Sequence, residues 1–472
     1  MKFPLFVNGS YRSLSPIADN EQTINWYPEV MESEGAVAKA ALYPTPGVST
    51  FCEVTEGLGG RAAFAMNGRC FFVVGSKLVE VYTGGTYVVR GDVGTDGAAA
   101  QMSSNGIGGD QLIIASNNRL HCLDLTTNVL TTPLSSGVYQ CGMSYGYFSA
   151  FDPAVSQFRI SASFDGTVWN PLDFASRTIG PDPWLAMLVT TYGETWLMGE
   201  QSSEVWYNSG DPDFPFAPDQ SGGLIPYGIA ASWSIKEADN NVVWLGTTRD
   251  GDLQVLAARG FTPQRISDLA LEAALDDMTT VSDAEGETYR QKGHTFYKLT
   301  FPTENQTWVF DFQTKLWHQR GTWISEGSAF DEWRPTWHAY AFRRHLWCER
   351  GSGKILDVSP RYHTDVDSRP LRRVRRTPTI RAENRLLTHR RLEVLAETGI
   401  GTVTDPQLLL RFSDDGGKTW HNELAQSLGN LGHYQTRLVW EKLGQSLARQ
   451  YELVCSESMP VRLIDAYVEV DA

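Results

Sequence analysis

Short apolar runs, broken every 8–12 residues or so by turn residues and recurring as a larger unit of roughly 40–55 residues, constrain this 472-residue chain more than any other feature. The first unit reads as runs 62–68, 70–74, 78–82 and 86–89, with Gly84 and Gly85 in the last turn. Further units take 111–115, 120–125 and 129–130, then 140–143, 147–150, 158–161 and 167–169. A fourth runs from Trp184 to about Phe216, with 194–198 and 204–207; a fifth has 232–235, 241–245 and 253–256. The sixth uses 287–290, 294–299 and 307–317, and the seventh 337–340, 345–348 and 354–358. Strands this short cannot bury both faces alone, so a radial stack of four-stranded units is the expected solution. The pattern predicts an all-β chain with a β-propeller of about seven blades, six or eight being left open by the boundaries.

The sixth unit resembles a kelch-like hairpin, with Asp311 and Thr314 capping a turn and Trp317 packing between blades, and 123–126 echoes it. After about Pro378 the runs lengthen into alternating strands at 391–395, 407–412, 450–454 and 461–470, which predict a separate, sandwich-like β domain. Residues 1–58 read as an N-terminal arm, 59–378 as the propeller and 379–472 as the C-terminal domain. Part of the arm, around Thr23–Tyr27, is expected to supply a strand that closes the ring, since closure removes exposed edges.

Composition excludes several classes. The 42% hydrophobic content supports a substantial core, and 43 glycines with 15 tryptophans, 18 tyrosines and 21 phenylalanines suit tight turns between packed strands. The first residues lack an apolar stretch of signal-peptide length, and no 18-residue apolar run occurs, so the expectation is a chain without a membrane segment, made and kept soluble in a cytoplasm. Cys52, Cys70, Cys122, Cys141, Cys348 and Cys455 are far apart without a C-x-x-C pair, which predicts buried free thiols rather than zinc or disulfides.

No catalytic constellation is assigned. Ser413, Asp415, Gly417, Thr419 and Trp420 match the Asp-box S-x-D-x-G-x-T-W of sialidases and other propeller glycosidases, and residues 163–169 form a looser copy. In those enzymes the box is a structural hairpin turn, and that role is expected here. Asp182, Asp211, Asp213 and Asp219 read as turn and cap residues. The nine histidines include no metal-spaced pair, and no nucleophile elbow or phosphate loop stands out. No catalytic residue, metal or cofactor is therefore expected; the alternative to a structural protein is a sialidase-like propeller glycosidase or a carbohydrate-binding module.

Charge is unevenly placed. Between Arg369 and Arg391 nine arginines face a single acid, Glu383; this stretch is +8 and leaves the remainder of a −15 chain at −23. Such a band fits either a solvated surface or an interface pairing guanidinium forks with carboxylates or phosphates. The candidate interface residues are Arg372, Arg373, Arg375, Arg376, Arg381 and Arg385. On a strand, Arg372, Val374 and Arg376 share one face, and Arg373 and Arg375, expected to meet the partner, share the other.

Residues 20–28 and 44–48 near the start, with 434–444 and 460–470 near the end, resemble the packaged-DNA stabilisation proteins of P22-like short-tailed bacteriophages, which are tail hub or nozzle subunits. The resemblance implies a virion protein assembled in the host cytoplasm, in a homohexameric ring below the portal and its adaptor. It also implies partners: a tail needle or plug, tail fibres or tailspikes, and transiently the genomic DNA in the channel.

Overall fold

The computed structural model describes residues 2–471, except 34, 37, 178, 181, 221–223, 383 and 384. Seven antiparallel blades form a closed ring. Blade 1 runs from Gly60–Met66 to Tyr87–Asp92, blade 2 from Gln101–Ser104 to Leu130–Leu134, blade 3 from Gln140–Ser144 to Asp165–Ser176, and blade 4 from Trp184–Val189 to Phe216–Pro218. Blade 5 runs from Gly228–Ile229 to Thr262–Arg265, blade 6 from Glu285–Gln291 to Leu316–Arg320, and blade 7 from Pro335–Ala341 to Lys354–Ser359. The innermost strand of blade 7 packs on that of blade 1, which closes the circle.

The kelch-like hairpin forms as its residues dictate. Asp311 accepts from the Gln313 amide and the Thr314 hydroxyl, while the Trp317 indole donates to the Ile266 carbonyl at 2.8 Å, tying blade 6 to blade 5. Between blades 5 and 6 lies Leu269–Asp276, the one α-helix among the described residues, capped by Asp268, which accepts from the Leu271 amide.

Residues 1–58 are not a separate arm. Gly47–Glu53 pairs antiparallel with Lys354–Ser359 as the fourth strand of blade 7, so the ring-closing strand comes from this segment and not from Thr23–Tyr27. Thr23 and Ile24 do something else. Within Asn20–Ile24, Ile24 pairs parallel with Gln319 at the outer edge of blade 6, and Gln22–Ile24 pairs on the other side with Arg376–Val374. An eleven-stranded sheet thus runs unbroken from blade 6 into the C-terminal domain.

That domain is a sandwich. One layer continues from Asn20–Ile24 through Arg373–Arg376, Ala448–Cys455, Gln407–Ser413 and Leu424–Ser427. The other contains Trp26–Val30, Ala40–Pro44, Leu463–Asp471, Leu387–Ala396 and Leu438–Glu441. Its core joins Phe3, Phe6, Trp26 and Leu42 from the N-terminal segment to Leu392, Leu410, Tyr451 and Leu463. Sheet pairing therefore makes Arg373–Arg376 a sandwich strand, although it precedes the change of pattern at Pro378. All six cysteines are buried free thiols.

A histidine clamps the two units together. His294 of blade 6 lies 2.8 Å from Asp311 and 2.9 Å from Glu29, which sits on the sandwich strand Trp26–Val30. Burial opposes its charge, but the two carboxylates outweigh burial and raise its pKa above the ordinary 6.5. A raised folded-state value means the stabilisation is complete below about pH 6.5 and is lost as pH rises through that raised value. Thermal melts of the wild type and His294→Gln should therefore differ most at about pH 5 and converge in mild alkali; a pH-independent gap would show that the imidazolium contributes nothing.

Candidate functional site

The Asp-box is a turn that positions a tryptophan. It leaves the strand Gln407–Ser413, and Asp415 then accepts from the Lys418 and Thr419 amides, each at 2.9 Å, and from the Thr419 hydroxyl at 2.7 Å. Thr419, followed by Ser413, holds the Asp415 carboxyl well below the usual carboxylate range. Gly417, at φ +87, closes the turn, and its carbonyl accepts from the Trp420 indole at 3.2 Å. The looser copy in blade 3 is a shorter version: Asp165 caps the amide and hydroxyl of Thr167, two residues on, and the Trp169 indole reaches the Gly166 carbonyl.

Trp420 in turn supports a pair of arginines. The Arg376 and Arg411 guanidinium carbons sit 4.9 and 5.0 Å from its ring centre. Both cations share one acid: Glu452, fully buried, accepts from Arg376 at 2.8 and 2.9 Å and from Arg411 at 2.6 Å. Cross-strand register makes this triplet, since Arg376 and Arg411 each lie opposite Glu452 on neighbouring strands. Arg372 stacks 4.3 Å over Trp323, on the blade 6–7 hairpin Thr322–Ile324, with Glu423 at 3.7 Å. These groups and Phe330 line a groove of about 430 Å³ at the propeller–sandwich junction.

The opposite strand face is the reverse of the expectation. Arg373 and Arg375 are completely buried and cannot meet a partner. The Arg375 guanidinium donates to the Leu5, Phe6 and Gly9 carbonyls, the Thr23 hydroxyl and Glu21, the last at 2.6 Å. Arg373 donates to the Glu457 carbonyl. For Arg375 the physical reason is the N-terminal segment, which folds back over it and satisfies the charge, whereas Arg373 is covered from the C-terminal side, beside Cys455 and the Glu457 carbonyl. Burial drives the Glu21 carboxyl upward against the pull of Arg375, as expected of an ion pair withdrawn from water.

The rest of the band is dispersed. Arg381 and Arg385 are exposed and enter no ion pair among the described residues, whereas Arg390 pairs with Asp471 and Arg391 lies between Glu393 and Glu469. Glu383, the band's acid, lies outside the described residues. Asp182 is held by Arg177 and Ser202, and Asp211 caps the Asp213 amide. Among the described residues no group of His, Cys, Asp and Glu could hold a metal. Two of the nine histidines, His338 and His345, seven residues apart, meet across a hairpin at 3.0 Å. Glu21, Trp323, Arg411 and Glu452 carry no mark in the sequence; only strand register brings them to the site.

A family model described as bacteriophage P22 Gp10, beta-propeller, matches residues 1–358. A second, bacteriophage P22 Gp10, beta-sandwich, matches residues 372–471. The chain belongs to the bacteriophage P22 Gp10 family. It is a phage structural protein, and the family's propeller and sandwich models correspond to the two units, except that the N-terminal strands Trp26–Val30 and Ala40–Pro44 fall within the propeller match and here build the sandwich. No curated protein matches the chain. Solved propellers share only low identity: a catalytically inactive virginiamycin B lyase from Staphylococcus aureus with quinupristin (11% identity, 65% of this chain and 97% of that one, TM-score 0.42), and the N-terminal domain of Nup159 (9%, 70% and 98%, TM-score 0.43). YCF48 from Cyanidioschyzon merolae is similar at 10% identity, over 67% of this chain and 99% of its own, with TM-score 0.42.

Two outcomes test the site. Arg375→Ala strands Glu21 in the interior, and urea unfolding should register a loss of about 3–5 kcal/mol; a loss under about 1 kcal/mol would mean the pair is hydrated. Asp415→Ala, at a partly exposed turn residue, should cost little global stability but loosen Trp420, seen as a weaker near-ultraviolet dichroism signal beside an almost unchanged melting temperature.

Proposed function

We propose that this chain is the tail hub or nozzle subunit of a short-tailed phage, with no enzymatic role. In this reading six copies form a ring below the portal–adaptor, extend the DNA channel, retain the packaged genome, and anchor a needle or plug together with fibres or tailspikes. The observation that carries it is the sheet that continues from blade 6 into the sandwich, because it couples the two units by backbone hydrogen bonds instead of a flexible linker. A subunit that bears load between a head and tail appendages needs that rigidity. The acidic body supports it as well: a net charge of −15 repels DNA moving along a channel instead of trapping it.

The attachment surface we propose comprises the exposed Arg381 and Arg385 with the junction groove of Arg372 and Arg376. Its partner is acidic, either a neighbouring copy or the adaptor ring. Arg381→Glu with Arg385→Glu should leave the melting temperature unchanged and weaken co-sedimentation with adaptor-bearing particles. Added salt should weaken wild-type attachment too, since exposed charges are screened beyond about 10 Å at 0.1 M. Unchanged co-sedimentation at low and high salt would remove these arginines from the interface, and negative-stain images without rings on the adaptor would overturn the hub reading itself.

A further inference from the structure

One face of the propeller carries a row of exposed aromatic rings on neighbouring hairpins. In blade 3, Tyr145 and Gly146 join Gln140–Ser144 to Tyr147–Asp152, and Phe164 lies in the turn between Gln157–Ala162 and Asp165–Ser176. In blade 4, Tyr192 and Gly193 lie between Trp184–Val189 and Thr195–Gly199. Tyr145, Phe164 and Tyr192 are 61%, 54% and 62% exposed. Single exposed apolar residues need no explanation, but a contiguous row does.

The rings lie along the surface and do not project from it. A Cβ on Gly146 would come within 2.6 Å of the Phe164 ring, and one on Gly193 within 2.4 Å of the Tyr145 ring, so each glycine leaves room for a ring to lie over it. The far edges are pinned as well: the Tyr145 hydroxyl reaches the Tyr192 carbonyl at 3.3 Å, and the Tyr192 hydroxyl donates to Asn240 Oδ1 of blade 5 at 3.0 Å. Each ring is therefore held in place with much of its surface open to solvent.

Backbone strain is spent on this display. Tyr145 and Phe164 have φ of +51° and +55°, a left-handed conformation that asparagine or glycine adopts at lower cost. Bulky aromatics kept in such turns, exposed to water, mark a functional surface more than a folding device.

Beyond Tyr192 the same face opens into a cleft of about 340 Å³ between blades 4, 5 and 6, lined by Thr191, Glu237, Asn240, Thr288, Arg290 and Thr295. Glu237 is already oriented, accepting from the Thr191 amide at 2.8 Å and its hydroxyl at 2.6 Å. The cleft thus presents a carboxylate, a carboxamide, a guanidinium and hydroxyls to one small volume.

We propose that this face binds a saccharide chain, whose C–H faces stack on Phe164, Tyr145 and Tyr192 while its hydroxyls hydrogen-bond in the Glu237–Asn240–Arg290 cleft. Aromatic faces are electron-rich and attract the weakly positive C–H groups of a pyranose, and the polar cleft matches its hydroxyl edge. A protein partner would instead favour a cleft with mainly apolar walls, whereas here Ala238 and Tyr289 are the apolar exceptions in a lining otherwise made of polar and charged side chains. Binding without turnover is proposed, and it stands independently of the tail-hub reading.

The test is saturation-transfer NMR with calorimetry on the full chain, using maltohexaose, cellohexaose, chitohexaose and a purified bacterial O-polysaccharide as probes. At least one probe should bind, with transfer to its ring C–H protons. Tyr192→Ala and Phe164→Asn should each weaken that binding by about tenfold. Phe164→Asn should melt no lower than the wild type, because it relieves the left-handed strain while removing the ring. No transfer to any probe at about 10 mM, or binding that survives both substitutions, would overturn the proposal. It would equally be overturned if the variants lost attachment to tail particles while no probe bound, since the row would then be a protein-docking surface.

Discussion

The molecule depends on one short strand with partners on both edges. Asn20–Ile24 meets the propeller through Ile24 and Gln319, and the sandwich through Thr23 and Arg375. Asn25, at φ +56, then turns the chain toward the other sandwich layer, and its side chain donates to the Gly321 and Arg372 carbonyls, both at 2.8 Å. Pulling the units apart would break these backbone hydrogen bonds and return packed surface to water. The two units are consequently joined through one continuous sheet.

Charge at the junction follows from that strand. Once Asn20–Ile24 and Ala448–Cys455 flank Arg373–Arg376, the strand is central in its sheet and its arginines fall on two unlike faces. On one, the N-terminal segment supplies Glu21 and three carbonyls, and Arg375 becomes a buried structural cation. On the other, Glu452 neutralises part of Arg376 and Arg411, and the tryptophans hold the guanidinium planes at the groove mouth. The same residue type thus does structural work on one side of a strand and faces solvent on the other.

The propeller and the sandwich use turns in a similar way. In both Asp-boxes an aspartate accepts from the amide and hydroxyl of a following threonine and an indole bonds back to a glycine carbonyl, which fixes Trp169 on blade 3 and Trp420 at the junction. The turn is a positioning device, and the chemistry of each location comes from what surrounds it: arginines at Trp420, and the exposed rim of blade 3 at Trp169.

The sequence by itself determined what is local. Strand periodicity and turn spacing were enough for an all-β chain, a propeller of about seven blades and a C-terminal sandwich, because alternation and hairpin signals act over a few residues, while six or eight blades stayed open until the sheets were paired. The Asp-box and the alternation of Arg372 and Arg376 against Arg373 and Arg375 were legible for the same reason. Tertiary structure alone decided which face of that strand is buried, which N-terminal strand closes the ring, and that Phe3, Phe6 and Trp26 belong to the sandwich core. These depend on pairings across hundreds of residues, such as Gly47–Glu53 with Lys354–Ser359 and Glu21 with Arg375. Periodicity shows that a strand has two faces; only the long-range pairing partner determines which of them meets water.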